Sequence, residues 1–199
     1  MRKKIYSLII LAVFLFFSAS ALMVLIYVKH GKQRDLPVFN DVKDFHLTSS
    51  EGKPFALSDL NGRVWVADFV FTSCGGICPL MTKNMASLHR SFALEKNVSF
   101  ISISVNPDYD TPAILEEYGQ RFHADFDRWH FLTGKIEEIK DLAVKSFKLG
   151  SVEEPVFHSA YFVLVDRKQQ IRGYYDGTND GEIQKLFKDM ALLLKSSKR

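Results

Sequence analysis

The stretch VWVADFVFTSCGGICP, from Val64 to Pro79, carries the strongest structural signal in the chain. Its first half is almost continuously apolar, which is typical of a central strand whose two faces are both covered. Its second half holds both cysteines of the chain around a Gly-Gly pair and ends on Pro79, a residue tolerated in the first turn of a helix. The stretch therefore predicts a buried strand that runs through a cysteine loop into a helix.

The pattern on either side of this stretch predicts an α/β sandwich. A second buried strand is expected at residues 98–105, and Pro112 opens a helix with Asp110 or Thr111 as its cap. The remaining predicted elements are a short strand at 131–133, a helix at 136–147, a strand pair within 159–175 and an amphipathic helix after Asp180. Strands that alternate with helices and close with a hairpin indicate a mixed sheet covered on both faces.

The amino-terminal segment predicts a membrane anchor. Residues 5–28 contain no charge, and at about 1.5 Å per residue they are long enough to cross a hydrocarbon core of about 30 Å. A cleaved signal peptide is the alternative, because Ala19-Ser20-Ala21 resembles a cleavage site. The apolar run continues past that site, which favours an uncleaved anchor.

The predicted organisation is a stub at 1–4, one transmembrane helix at 5–28, a tether at 29–39 and a single domain at 40–199. A short stub followed by a large domain is the usual layout of a signal anchor that exports the domain. We therefore expect both cysteines on the non-cytosolic side, in a periplasm-like or intermembrane space.

The charge distribution argues against nucleic acid as a partner. The chain has 26 Lys and Arg against 23 Asp and Glu, a net charge of +3. Six of the bases and none of the acids lie in the first 34 residues, so the rest of the chain carries a net charge of −3. The apparent basicity belongs to the flanks of the apolar segment and does not indicate a basic binding surface.

The cysteine pair predicts metal or redox chemistry. Cys74 and Cys78 have the spacing of one helical turn, which brings two β-carbons to about 5 to 6 Å on one face. Both sulfurs can then reach one ion or, after adjustment, each other. The start of a helix also lowers a thiol pKa and favours the thiolate that either chemistry requires.

A third ligand is expected for a metal, and His158 is the best candidate. It directly precedes a predicted strand, at a strand end where α/β sheets gather their active loops; an ordinary loop histidine is the alternative. Two soft thiolates with one imidazole suit Cu(I), and Cu(II) can add a further light ligand, whereas zinc would want a fourth protein ligand. Met81 and Met85 lie on the same helix face, but we expect them in the core.

Three elements together resemble the SCO/SenC family of membrane-anchored, thioredoxin-fold copper-binding proteins. They are FTSCGGICP at 71–79, SVNPDYDTP at 104–112 and a lone His158 before an apolar strand, and the resemblance covers residues 38–196. It implies a thioredoxin-like three-layer sandwich with a mixed central sheet, and copper held by Cys74, Cys78 and His158. It also implies delivery of that copper to the binuclear centre of cytochrome c oxidase, with the copper-bearing subunit of the oxidase as partner.

The chain departs from the family pattern at three acidic positions. Family members often carry an acid between the cysteines, an Asp at Asn106 and an Asp just before the histidine, where this chain has Gly75-Gly76-Ile77, Asn106 and Phe157. Fewer carboxylates should weaken the hard ion Cu(II) more than the soft ion Cu(I). We expect Asp108 and Asp110 to be turn and helix-cap residues.

Two functions therefore remain. The first is a copper metallochaperone with associated thiol redox activity, which is not an enzyme in the turnover sense. The second is a metal-independent thiol–disulfide oxidoreductase, in which Cys74 and Cys78 are the catalytic redox pair acting on client cysteines outside the cytosol. His158 is required under the first function and dispensable under the second. A peroxide-reducing role would need supporting residues that the sequence does not offer.

Overall fold

The computed structural model describes Tyr6 and residues 13–23, 35–150 and 159–196. The chain divides into two compact units, Met1–Asp35 and Leu36–Arg199. In the first unit, residues 13–23 are helical with exposed side chains. Half of the predicted anchor and residues 29–34 of the predicted tether lie outside the described residues. No helix in the described part of the chain is long and apolar enough to cross a membrane.

The described part of the second unit forms one mixed sheet of eight strands. They are β1 (Asn40–Asp41), β2 (His46–Ser49), β3 (Pro54–Ala56), β4 (Val64–Val70), β5 (Val98–Ser104), β6 (Trp129–Thr133), β7 (Tyr161–Val165) and β8 (Gln170–Asp176). Their order across the sheet is β1-β8-β7-β4-β5-β6-β2-β3. β4, β5 and β6 are parallel, and the other neighbouring pairs are antiparallel. The predicted mixed sheet is confirmed.

Helices cover both faces of this sheet. The α-helices that the structure describes in this unit are α1 (Cys78–Ser91), α2 (Pro112–Arg121), α3 (Ile136–Asp141), which continues as a π-helical turn at Leu142–Ser146, and α4 (Asp180–Ser196). α1, α2 and α4 share one buried cluster, which includes Met85, Leu115 and Met190. α3 and its continuation contribute Ile139 and Leu142 to the cluster on the other face. The three predicted layers are therefore present.

β4 positions the cysteine loop because it lies in the middle of the sheet. It pairs with β5 on one side and β7 on the other, and every one of its residues is buried. Side chains alternate between the two faces of a strand: Val66 joins the cluster under α1, and Trp65 and Phe69 join the opposite cluster. The same alternation puts Asp68 on the face that α1 covers.

Candidate metal and thiol site

The end of β4 and the start of α1 place the two cysteines at one corner of the domain. The Cys74 amide donates a hydrogen bond to the Phe71 carbonyl at 3.2 Å, which turns the chain after the strand. α1 begins at Cys78, with Pro79 in its first turn as predicted. Cys74 is partly buried, Cys78 is buried, and both are free thiols. The predicted succession of strand, cysteine loop and helix is confirmed.

The two thiols interact with each other and differ in pKa. Burial, assisted by the nearby Cys74 sulfur and Asp68 carboxyl, raises the pKa of Cys78 to about 12. Burial also disfavours the Cys74 thiolate. Hydrogen bonds to this sulfur outweigh the effect of burial and lower the pKa of Cys74; they come from the Cys78 thiol and from the backbone amides of Cys78, Gly76 and Ile77. The Gly76 amide lies 3.4 Å from the Cys74 sulfur. Of the two thiols, Cys74 is therefore the one that ionises more readily.

The Gly-Gly pair leaves open space beside the Cys74 sulfur. A β-carbon added at Gly75 would meet no atom within 4 Å, and one added at Gly76 would meet the Cys74 sulfur at 3.8 Å. Gly75 and Gly76 are exposed, as is Ile77 after them. The loop that carries Cys74 therefore has room to change its shape.

Asp110 connects this loop to the end of β5 from a fully buried position. Its carboxylate accepts hydrogen bonds from the Thr72 amide at 3.1 Å and from the Thr72 and Ser104 hydroxyls at 2.5 Å each. The expectation that Asp110 caps a helix is wrong. Thr111 caps α2 instead, because its extended backbone directs its hydroxyl towards the Ile114 amide, at 3.4 Å.

A second buried acid lies behind the cysteines. Asp68 has no exposed surface, and neither of its carboxyl oxygens has a hydrogen-bond partner among the described residues. Burial raises the pKa of Asp68 to about 7. One signal for it exists in the sequence, since Asp68 is the single charged residue of an otherwise apolar strand.

Of the other candidate ligands, the structure describes Met81 and Met85 but not His158. His158 and Phe157 lie outside the described residues, so the position of the third ligand stays a prediction. Within the described ranges, no group of three or more His, Cys, Asp or Glu side chains is arranged to hold a metal. Met81 and Met85 are buried in the core beneath α1, as expected.

The chemistry of the thiol pair fits a soft metal ion. Two sulfur donors within hydrogen-bonding reach of each other suit Cu(I), which accepts thiolate ligands in low coordination numbers. The same proximity allows a disulfide after a small movement of the Cys74 loop. Metal binding requires that the Cys78 thiol lose its proton, which is favoured when a cation replaces that proton.

Comparison with known proteins gives a consistent result. The SCO1/SenC family model matches residues 36–194. The chain is 35% identical over 166 residues to a SCO1 protein homolog of Bacillus subtilis, covering 80% of this chain and 86% of that protein. Its fold matches BsSco, described with a disulfide switch, at a TM-score of 0.71 and 35% identity, covering 80% of this chain and 96% of BsSco. It also matches copper-bound ScoI of Arabidopsis thaliana at a TM-score of 0.62 and 26% identity, covering 75% of this chain and 97% of ScoI.

Proposed function

Because the chain belongs to the SCO1/SenC family, we propose that it binds copper and delivers it to the binuclear copper centre of cytochrome c oxidase during assembly. Cys74, Cys78 and His158 are the proposed ligands. The observation that carries the proposal is the pair of free, interacting thiols at the start of α1. BsSco belongs to a family of cytochrome c oxidase assembly proteins, and Arabidopsis ScoI has been solved with copper bound, which supports both parts of the proposal.

The proposed location follows from the same function. The charge-free segment at 5–28 anchors the chain in a membrane, and the domain lies on its non-cytosolic side. The client is then the copper-bearing subunit of the oxidase.

The test is an anaerobic Cu(I) titration of the reduced full chain against a competing chelator. The wild-type protein should take up about one equivalent of Cu(I), as expected for a single site with two thiolate ligands and one imidazole ligand. His158→Ala should weaken Cu(I) binding by at least about tenfold. Mutation of a residue that only hydrogen-bonds to a metal ligand already has an effect of that size. His46→Ala is the matched control, because His46 is an exposed histidine on β2.

The outcomes separate the parts of the proposal. Absence of stoichiometric uptake by the wild-type protein would exclude copper delivery. Uptake that His158→Ala and His46→Ala leave equally strong would remove His158 from the ligand set and keep the two cysteines.

The pKa difference between the thiols favours a second function, a metal-independent thiol–disulfide oxidoreductase. The Cys74 thiolate attacks a client disulfide, which forms a mixed disulfide and releases one client thiolate. Cys78 gives up its proton and attacks the Cys74 sulfur, which forms the Cys74–Cys78 disulfide and releases the second client thiolate. The disulfide switch of BsSco supports this chemistry. Exchange with a model disulfide should then be lost in Cys74→Ser and unchanged in His158→Ala.

A further inference from the structure

A buried chain of hydrogen bonds connects α2 to the first residue of α1. The Thr82 hydroxyl oxygen lies 2.8 Å from the Cys78 carbonyl oxygen and 2.7 Å from the Tyr118 hydroxyl. A hydroxyl has one proton to donate. Thr82 donates its proton to the carbonyl, so the Tyr118 hydroxyl donates to Thr82. The side chains of Thr82 and Tyr118 are almost completely buried.

The far end of this chain is held in place by aromatic packing. The Tyr118 ring packs against Phe122 at a centroid distance of 5.1 Å and edge-on against Phe131 of β6 at 6.1 Å. The Arg121 guanidinium lies over the same ring at 5.3 Å. The position of the Tyr118 hydroxyl is therefore set by the sheet and by α2, and the chain transmits that position to the backbone of Cys78.

The two cysteines thus differ in how firmly their backbones are held. Cys78 is the first residue of α1, and its carbonyl oxygen accepts a hydrogen bond from the Thr82 hydroxyl. Cys74 lies in a loop beside Gly75, where an added β-carbon would meet no atom within 4 Å. When the two sulfurs approach each other, the loop has room to move, whereas the Cys78 turn is tied to α2 by the Thr82 and Tyr118 hydroxyls.

We propose that Tyr118 and Thr82 are positioning residues that fix Cys78, so that the Cys74 loop supplies the movement by which the two sulfurs close on a disulfide or on copper. A fixed partner raises the effective concentration of one thiol at the other. The copper part of this inference rests on the proposed function, and the disulfide part does not.

The test measures the thiol–disulfide equilibrium of the full chain in glutathione buffers without copper. Oxidised glutathione converts the two thiols into one disulfide and is reduced to two molecules of glutathione. Tyr118→Phe and Thr82→Val each break the chain and should lower the equilibrium constant for disulfide formation by up to about fivefold, the effect of one hydrogen bond that the disulfide state needs and the dithiol state does not. Thr82→Ser keeps the hydroxyl and should retain the wild-type constant.

Tyr175→Phe is the matched control. Tyr175 is also buried, and its hydroxyl donates a hydrogen bond of 2.8 Å to Asp189, which joins β8 to α4. This variant should lower the unfolding temperature as Tyr118→Phe does, while the disulfide equilibrium stays unchanged. Thermal unfolding of each variant checks that it is folded; if Thr82→Val does not fold, Tyr118→Phe and Thr82→Ser still decide the question.

The proposal is overturned if folded Tyr118→Phe has the same disulfide equilibrium as Tyr175→Phe, because the hydrogen bonds would then only stabilise the fold. It is also overturned if Thr82→Ser shifts the equilibrium as far as Tyr118→Phe does. A wild-type protein that takes up no copper, together with the expected disulfide shifts, would reject the proposed function and keep this inference.

Discussion

The buried carboxylate of Asp110 holds Thr72, which lies 38 positions earlier in the chain, by both its amide and its hydroxyl. Thr72 precedes Cys74 by two residues, so this contact fixes the point at which the cysteine loop leaves β4. Ser104, the last residue of β5, donates to the same carboxylate. One acid therefore joins the end of β5 to the start of the cysteine loop.

Asp110→Asn should destabilise the domain and loosen the cysteine loop. An amide has one acceptor oxygen, so at least one of the Thr72 and Ser104 donors loses its partner in a buried position. Hydrogen bonds to a charged group contribute about 1.5 to 3 kcal/mol each, and we expect the free energy of unfolding to fall by about 3 kcal/mol in urea denaturation. Asp108→Asn, an exposed substitution in the same loop, is the control and should change it by less than about 0.5 kcal/mol. Equal effects of the two substitutions would contradict a special role for Asp110.

The contact between Asp110 and Thr72 marks the limit of what the sequence predicts. The buried strand, the cysteine loop and α1 follow from apolar runs and from Pro79, because these signals are local. The Asp-Thr-Pro sequence before α2 offers two capping candidates, and the choice depends on backbone geometry: Thr111 adjoins Pro112 with an extended backbone, whereas Asp110 is turned inward.

The contact between Tyr118 and Thr82 is likewise not predictable from sequence patterns. Their side chains meet across two helices, 36 positions apart, and each taken alone reads as an ordinary helical residue. Asp68 was detectable, since an acid inside an apolar strand must either be paired or change its pKa. The metal ligands Cys74, Cys78 and His158 remain predictions.

The pH dependence of stability should reveal Asp68. Burial raises the pKa of Asp68 in the folded protein from 3.8 to about 7, so between these values the folded state binds a proton that the unfolded state has released. Its contribution to stability is complete below pH 4 and is lost as the pH rises through about 7, by an amount on the order of 4 kcal/mol at 1.36 kcal/mol per pKa unit.

The measurement is urea denaturation of wild type and Asp68→Asn at intervals from pH 4 to pH 8. The variant cannot ionise, so the wild type should lose stability relative to it as the pH rises. Parallel curves for the two proteins across this range would show that Asp68 does not hold the extra proton.

Cys74 should react with alkylating agents well before Cys78. The hydrogen bonds that outweigh burial at Cys74 lower its pKa, whereas burial raises the pKa of Cys78 to about 12. Only the thiolate is nucleophilic, so near neutral pH iodoacetamide should modify Cys74 first. Peptide mapping by mass spectrometry after short reaction times measures the order.

Cys78→Ala removes a hydrogen-bond donor to Cys74 and should shift the pH profile of Cys74 alkylation upward. Modification of Cys78 in the wild type at the same rate as Cys74 would contradict the assignment.

Gly75→Asp tests whether the missing acid between the cysteines determines the choice of copper oxidation state. The structure accepts a side chain there, because a β-carbon at Gly75 meets no atom within 4 Å. The free energy of unfolding should therefore stay within about 0.5 kcal/mol of wild type. A carboxylate beside two thiolates favours the harder ion Cu(II) over Cu(I). We expect Cu(II) to bind about tenfold more tightly, the scale of one charge within about 6 Å, while Cu(I) affinity changes less.

Gly75→Asn, with the same shape and no charge, is the control in both titrations. If the Asn and Asp variants bind Cu(II) equally, charge at this position does not select the ion, and the preference of the site lies in its proposed ligands Cys74, Cys78 and His158.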